Sequence, residues 1–407
     1  MTPPPAELVD AARSLRAQLK AEAPETERRT HFSPELHQAF LDARFYDMFI
    51  PRRYGGLEVS VATFVEVVAE LARGDMAAAW CWTLSASHAL QVATMFPEEV
   101  QDEVFGGGDF RAPATAAPSI VATRVEGGWR LEGTVAYCSG SPYSTYYLGQ
   151  AKLVGESGEG LGGGTFVAPR AVFTVLDDWG ATLGLRGTGS NSIRFDGGVI
   201  PEPYLLPGVE INDYPAESGT PGFALHGNPL YAGRAMSVLT LTLGGLAVGG
   251  AFAALDEFGE QMRLRGTPLP PIQPRLTDPD YQRWYGAAMV RIGAARATVL
   301  HTASEWMRLA GENAAGTRPF LFADDFRLAA LAREAHLQSW EAVEQELARS
   351  IGSSALRDGE RFAQLYRDLS QAAGHRSPQV RDGAYRIIAA EELGVLAGPV
   401  AVSEKSA

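Results

Sequence analysis

Helical periodicity fills residues 5 to about 110 and returns from 229 to about 394. Between them, from about 112 to 225, the signals are strands and tight turns. No βαβ alternation and no G-x-G-x-x-G accompany this order, so a Rossmann domain is not indicated. The expectation is a mostly α, α+β protein. It comprises an N-terminal helical domain over 1–111, a central β domain over 112–228 and a C-terminal helical bundle over 229–407. A chain of 407 residues exceeds one ordinary core and suffices for two or three subdomains.

Local signals fit this division. Ser33-Pro34-Glu35-Leu36 opens a helix with a capping serine and Pro at the first position. Pro51 and Tyr54-Gly55-Gly56 break the pattern, which resumes over Val61–Ala72 and Met76–Phe96, and Pro97-Glu98-Glu99 starts a further short helix. In the middle stretch, Ile120–Val125 and Trp129–Val135 flank Gly127-Gly128, which supplies the positive φ of a hairpin turn. Tyr146–Leu153, Thr165–Ala168, Val172–Leu176 and Ser192–Phe195 are further strands. Helices are expected over 229–264, 279–312, 321–350, 359–373 and 378–392, with Gly266–Pro274 as the main break.

Composition narrows the function. A net charge of −13 with no basic stripe argues against nucleic acid and anionic membrane as partners. The run Met236–Phe258 has the length of a membrane span, but its glycines and threonines suit a helix packed closely against others. Met1-Thr2-Pro3-Pro4-Pro5 has no positive region followed by an apolar core, so no secretory signal is expected. Cys81 and Cys138 stand far apart without a motif, which fits a reducing cytoplasm and excludes a Cys-based zinc cluster. The seven histidines show no metal-ligand pair at helical spacing, so no metal is expected.

The stretch Phe362 to His375 reads as a helix that ends by delivering one histidine. Phe362, Leu365, Tyr366, Leu369 and Ala373 form its apolar face, Gly374 is a left-handed stop, and Pro378 lies just beyond. At a helix C-terminus the dipole favours a protonated His375, a proton donor on a rigid element. The alternative is a solvated cap histidine.

Context selects between them. Ser350-Ile351-Gly352-Ser353-Ser354-Ala355-Leu356, then Leu365-Tyr366-Arg367-Asp368-Leu369, then His375, resembles the C-terminal signature of a flavin-dependent monooxygenase family. These are the two-component hydroxylases built on the acyl-CoA dehydrogenase fold. They include the oxygenase components of 4-hydroxyphenylacetate 3-monooxygenases and the steroid-catabolic phenol hydroxylases. The resemblance spans nearly the whole chain, and the helical–β–four-helix-bundle order is that fold's plan.

Leu183-Gly184-Leu185-Arg186-Gly187-Thr188-Gly189-Ser190 is a glycine-rich loop whose backbone can approach a ligand closely; alone it is a weak cofactor signal. It is similar to the family's GLRGTGS motif, which follows a tryptophan, here Trp179, and lies beside the flavin. The resemblance therefore implies Trp179, Arg186, Thr188 and Ser190 as cofactor residues. Tyr137-Cys138-Ser139-Gly140-Ser141 reads by itself as a polar turn leaving a strand. In the family a Ser-Gly pair here sits at the flavin N5 edge, which implies Ser139 as a contact and catalytic group, with Ser141 its neighbour. Trp80-Cys81-Trp82 followed by His88 suits a core histidine on an apolar helix. The family places a tryptophan and then a substrate-facing histidine there, so Trp80 and His88 become substrate contacts, His88 able to deprotonate a phenol. Thr115 stands at the spacing of a second substrate hydroxyl contact. Arg263, Arg265 and Gln273 flank the proline-rich break and are either a solvated loop or, as in the fold, groups reaching a neighbouring subunit's flavin.

The reading is the oxygenase component of a two-component monooxygenase. Reduced FMN or FAD comes from a separate flavin reductase, O2 is the co-substrate, and a C4a-hydroperoxyflavin hydroxylates a small aromatic or phenolic molecule. Relatives also hydroxylate amines of amino sugars or sulfur heterocycles. The runner-up is an acyl-CoA dehydrogenase: the Tyr-Glu-Gly-Thr base segment is missing, but Glu257 or Glu260 are available on a bundle helix. A cytoplasmic homotetramer is expected. Its glycines at 244, 245, 249 and 250 are read as close helix contacts between subunits.

Overall fold

The computed structural model describes residues 4–395; Met1 to Pro3 of the N-terminal segment read above, and 396–407, lie outside it. Seven helices come first: α1 Pro5–Ser14, α2 Arg16–Arg29, α3 Pro34–Asp42, α4 Val61–Gly74, α5 Met76–Ala86, α6 Ala89–Met95 and α7 Glu98–Gly106. Their starts follow side-chain chemistry. Ser33 accepts from Leu36 N–H at 3.1 Å, Ser60 from Thr63 N–H at 3.1 Å, and Asp75 from Ala77 N–H at 3.4 Å.

The strands come next: β1 Ala114–Val125, β2 Gly128–Val135, β3 Tyr146–Val154, β4 Gly160–Pro169, β5 Thr174–Val175, β6 Ile193–Pro201 and β7 Leu205–Pro207. They form one sheet in the order β5-β6-β2-β1-β3-β4-β7, antiparallel except where β1 meets β3. β1 and β2 are the expected hairpin, with Gly127 at φ +84° in its turn. Val135, the last residue of β2, pairs with Ile193, the first of β6. By this register the chain leaving β2 and the chain entering β6 emerge side by side.

After a short helix, α8 Pro221–His226, come α9 Met236–Leu264, α10 Pro279–Ala314 and α11 Phe322–Ala342. The last four are α12 Arg349–Ile351, α13 Arg361–Ala373, α14 Arg376–Gln379 and α15 Arg381–Glu392. α9 packs against α4, α10, α11 and α13. It is long and apolar enough to cross a membrane, yet 89% of its most apolar window is buried inside the protein. Its glycines explain this closeness, and they correct an expectation. A Cβ on Gly249 would stand 2.3 Å from Ala69 O, on Gly245 3.0 Å from a Val65 methyl, and on Gly250 2.7 Å from the Met76 sulfur. Gly244 faces Ala332 and Val299. All four seat α9 against helices of its own chain, so they carry no argument for subunit contacts.

Candidate active site

Trp80 and Trp82 are two residues apart on α5 and so point to opposite sides. Trp82 is fully buried against Phe40, Phe45 and Phe64. Trp80 turns the other way, and its Nε1–H donates to Ser139 Oγ at 3.2 Å. Ser139 lies on the turn leaving β2; Ser190 lies on the loop entering β6. Because those strand ends pair, the two segments zip together: Cys138 N–H donates to Asn191 O at 3.2 Å, Gly140 N–H to Thr188 O at 3.1 Å and Ser141 N–H to Gly189 O at 3.2 Å. Side chains continue the link. Ser139 Oγ and Ser190 Oγ lie 2.7 Å apart, and Ser190 Oγ and Thr188 Oγ1 2.6 Å apart. Thr188 donates onward to Leu185 O at 2.8 Å, which aligns the chain of hydroxyls.

The glycines of 184–189 also serve packing within the chain. A Cβ on Gly184 would stand 2.1 Å from Arg367 O, on Gly187 2.5 Å from the Thr26 methyl, and on Gly189 2.7 Å from Pro142. At these three positions the space a side chain would need is taken by the protein's own α13, α2 and Pro142. Asp368 fixes it further, accepting from Leu185 N–H at 2.6 Å. Asp368 is fully enclosed, and burial, with Asp75 adding to it, pushes its carboxyl up to about 7.

His375 comes just after α13, its ring in T-shaped contact with Trp80 at 5.5 Å between centroids. Its protonation differs from the sequence expectation. Gly374 is right-handed at φ −81°, and His375 is the N-cap of α14, its Nδ1 accepting from Ser377 N–H at 3.2 Å. A helix N-terminus disfavours a cation. The surrounding protein and Arg376 also hold the imidazole down, to about 4. The residue is exposed overall, which offsets part of that crowding without reversing its direction. The neutral tautomer is thereby set: with Nδ1 accepting, the proton resides on Nε2.

The remaining expected residues divide. Trp179 packs edge-on against Tyr137 at 5.5 Å, and its buried Nε1–H has no partner among the described residues. Tyr137, 66% exposed at φ +63°, holds a backbone conformation that costs a large side chain energy. With Trp179 it makes an open aromatic ledge on the turn that carries Ser139. Ser141 is fully buried and donates to Gly189 O at 3.0 Å, so it braces the turn. Arg186 pairs with Glu27 at 3.2 Å, which also holds Arg367 at 2.6 Å. One carboxylate thus serves two guanidinium groups. Arg263 pairs with Glu260 at 2.9 Å and Arg265 bonds Ser354, both at the far end of α9. His88 is buried with Nδ1 2.8 Å from Ala112 O, and burial lowers it to about 4. Its Nδ1–H donates there, leaving Nε2 as the acceptor. Thr115 Oγ1 lies 2.5 Å from Tyr147 OH within the β layer. Neither bonds to the Trp80–Ser139–Ser190 chain among the described residues.

Sequence reasoning missed the roles of Tyr137 and Asp368. Only adjacency to Ser139, and membership in the Arg-Asp-Leu triplet, could have drawn attention to them. No group of three or more His, Cys, Asp or Glu side chains could hold a metal ion among the described residues.

A ring-shaped, redox-active cofactor fits this place. The ledge of Tyr137 and Trp179 suits a flat ring, the unpartnered Trp179 Nε1–H needs an acceptor, and the Ser139 hydroxyl can donate or accept. Comparison with known proteins agrees. The family model for the acyl-CoA dehydrogenase N-terminal domain matches residues 6–105 and that for the C-terminal domain residues 241–379, together more than half of the chain. The flavin-dependent monooxygenase oxygenase subunit HsaA of Rhodococcus jostii is 24% identical over 93% of this chain and 96% of its own. The p-hydroxyphenylacetate 3-hydroxylase oxygenase component of Acinetobacter baumannii is 25% identical over 87% of this chain and 81% of its own. The solved structure of XiaF from a Streptomyces species, in complex with FADH2 and glycerol, shares the fold. Its TM-score is 0.87 at 22% identity, covering 98% of this chain and 97% of that one.

Proposed function

The chain belongs to the acyl-CoA dehydrogenase family, and from that premise we propose that it is the oxygenase component of a two-component flavin-dependent monooxygenase. It hydroxylates a small phenolic aromatic with O2. The observation that carries this reading is the run of hydroxyls from Thr188 through Ser190 to Ser139, closed by Trp80 and His375. A thioester dehydrogenase needs a carboxylate base at the flavin instead. Glu260 is paired with exposed Arg263, and Glu257 accepts from Gln261 and faces Lys20 at 3.7 Å. Asp368 is turned to the Leu185 backbone.

Reduced FMN or FAD supplies the electrons and activates O2 when bound. Ser139, Ser190 and Trp179 would hold its ring, with Tyr137 beneath. Two neutral histidines of opposite tautomer divide the proton chemistry. His375 presents Nε2–H as a donor, aimed by its Ser377 bond. His88 presents Nε2 as an acceptor, aimed by its Ala112 bond, and accepts a hydrogen bond from the phenol hydroxyl. Trp80, buried, keeps water from the space between.

The reduced flavin comes from a separate reductase, since the chain lacks a nicotinamide-binding motif. Leu264, Leu269, Ile272 and Leu276 are exposed apolar residues beside Arg263 and Arg265. A patch of that kind suits a second copy of the chain, through which these arginines reach a neighbouring flavin in a homotetramer. The two free, buried cysteines suit the cytoplasm.

Two additions test the reading. Acyl-CoA added to the protein loaded with oxidised FAD is expected to leave the yellow colour unchanged. Flavin reductase, NADH, O2 and a simple phenol are expected to give a catechol. Bleaching by acyl-CoA, without catechol in the second assay, would make the chain a dehydrogenase.

A further inference from the structure

The hydroxyls of Thr188, Ser190 and Ser139 run in one direction. Ser139 Oγ is 2.7 Å from Ser190 Oγ, and Ser190 Oγ is 2.6 Å from Thr188 Oγ1. Each hydroxyl has a single proton to give, so the run points one way or the other. Its inner end decides which. Thr188, 1% exposed, lies 2.8 Å from Leu185 O, and a carbonyl only accepts. Thr188 therefore donates to Leu185, Ser190 to Thr188 and Ser139 to Ser190. At the outer end the Trp80 Nε1–H, which only donates, meets Ser139 Oγ at 3.2 Å. Ser139 has then committed its proton and one lone pair. What it offers outward, from a half-buried position, is an acceptor. Reversing the run would keep both links between hydroxyls but lose the one to Leu185 O.

A zipper that only held the two segments together would need none of this. The backbone already joins them, with the N–H groups of Cys138, Gly140 and Ser141 bonded to the carbonyls of Asn191, Thr188 and Gly189. The inner end is also strained. Leu185 stands at φ +52°, a left-handed conformation unfavourable for a leucine. Asp368 holds it there, accepting its N–H at 2.6 Å, and the Leu185 carbonyl is turned onto Thr188.

An outward acceptor distinguishes the two oxidation states of a flavin. Two-electron reduction puts a hydrogen on ring atom N5, which turns that atom from a hydrogen-bond acceptor into a donor. We propose that Thr188 is a positioning residue: through Ser190 it keeps Ser139 an acceptor, so that the site takes the reduced ring by its N–H and holds the oxidised ring less tightly. Oxidised flavin meets a donor only if the whole run turns round and gives up the Leu185 bond. The difference is one neutral hydrogen bond, roughly three- to tenfold in affinity. Thr188 acts without touching the ring, since Ser190 and Ser139 follow it in the run. This rests on the hydroxylase reading for a flavin at Ser139. There the preference has a use, because the ring arrives reduced and leaves oxidised.

The test is equilibrium binding of FMN and FAD, each reduced under anaerobic conditions and each oxidised, to wild type, Thr188→Val, Thr188→Ser and Ser190→Ala. Wild type is expected to bind the reduced form more tightly. Thr188→Val keeps the shape but removes the proton that reaches Leu185. It is expected to lower the reduced-over-oxidised ratio by roughly three- to tenfold, mainly through tighter binding of the oxidised form. Ser190→Ala cuts the run and is expected to lower the ratio similarly, whereas Thr188→Ser restores the hydroxyl and is expected to keep the wild-type ratio. A Thr188 that only shaped the loop would weaken both forms alike. An unchanged ratio in Thr188→Val or Ser190→Ala would therefore overturn the proposal, as would equal binding of both forms by wild type or a lowered ratio in Thr188→Ser. If Thr188→Val does not fold, Ser190→Ala set against Thr188→Ser decides. Turnover of a simple phenol with flavin reductase, NADH and O2 separates this from the hydroxylase reading. Hydroxylated product with a ratio indifferent to Thr188 would sink the positioning role and leave the hydroxylase. A Thr188-dependent ratio without product, and with acyl-CoA bleaching the bound flavin, would do the reverse.

Discussion

At the scale of single residues, the proposed chemistry depends on protons being held away from their ordinary positions. His88 and His375 are both lowered to about 4, so neither is a cation near neutral pH. Their roles derive from tautomers fixed by backbone partners. Asp368 is shifted the other way, to about 7, chiefly by burial. A carboxyl raised above its unfolded value of about 3.8 favours folding least when ionised. The stability it contributes is therefore lost as pH rises through about 7. Asp368→Asn keeps an oxygen for the Leu185 N–H without the charge. Its stability relative to wild type is expected to improve by on the order of 2 kcal/mol between about pH 5 and about pH 8. Denaturant melts at the two pH values check this; a gain that does not grow with pH would contradict it. The comparison must be variant against wild type, because buried His88 and His336 act in the opposite sense. Their contribution is complete above about pH 6.5 and is lost as pH falls toward their folded values.

At the scale of elements, glycine is used for contact within the chain. Gly249 on α9 would drive a Cβ into Ala69 O, and Gly184 into Arg367 O; backbone cannot step aside for either. Gly293, within α10, has nothing within 4 Å of a Cβ. Gly249→Ala is expected to destabilise by about 1–3 kcal/mol through overpacking. Gly293→Ala is expected to stabilise by about 0.5–1 kcal/mol through helix propensity. Thermal melts giving both substitutions the same sign would remove this distinction. The contrast also marks what the sequence could convey. The helices of 229–394 are legible because their apolar spacing is long and regular, and the hairpin at Gly127-Gly128 because its turn demands glycine. The partners of the glycines are not legible, because sequence spacing does not reveal which distant backbone lies opposite. For the same reason the motifs containing Ser139, Thr188 and Ser190 can be picked out. That Ser141 and Arg186 turn instead to Gly189 and Glu27 cannot. The place of His375 just after a helix is legible, but its protonation is not. The next helix, α14, begins on it, and burial and Arg376 hold the ring down.

At the scale of the whole molecule, the proposed site draws on every layer. The N-terminal helices bring Trp80 and His88, the paired ends of β2 and β6 bring Ser139 and Ser190 together, and the segment after α13 brings His375. The central claim is that these parts couple flavin oxidation to hydroxylation. The direct measurement is the ratio of hydroxylated product to hydrogen peroxide in a single turnover. It starts with limiting reduced flavin, excess O2 and a simple phenol, in wild type and in His375→Ala. Wild type is expected to convert most flavin equivalents to product. His375→Ala is expected to fold and bind reduced flavin but to release peroxide, with product per flavin lower by about tenfold or more. Peroxide alone from wild type across simple phenols, or full coupling in His375→Ala, would contradict the account.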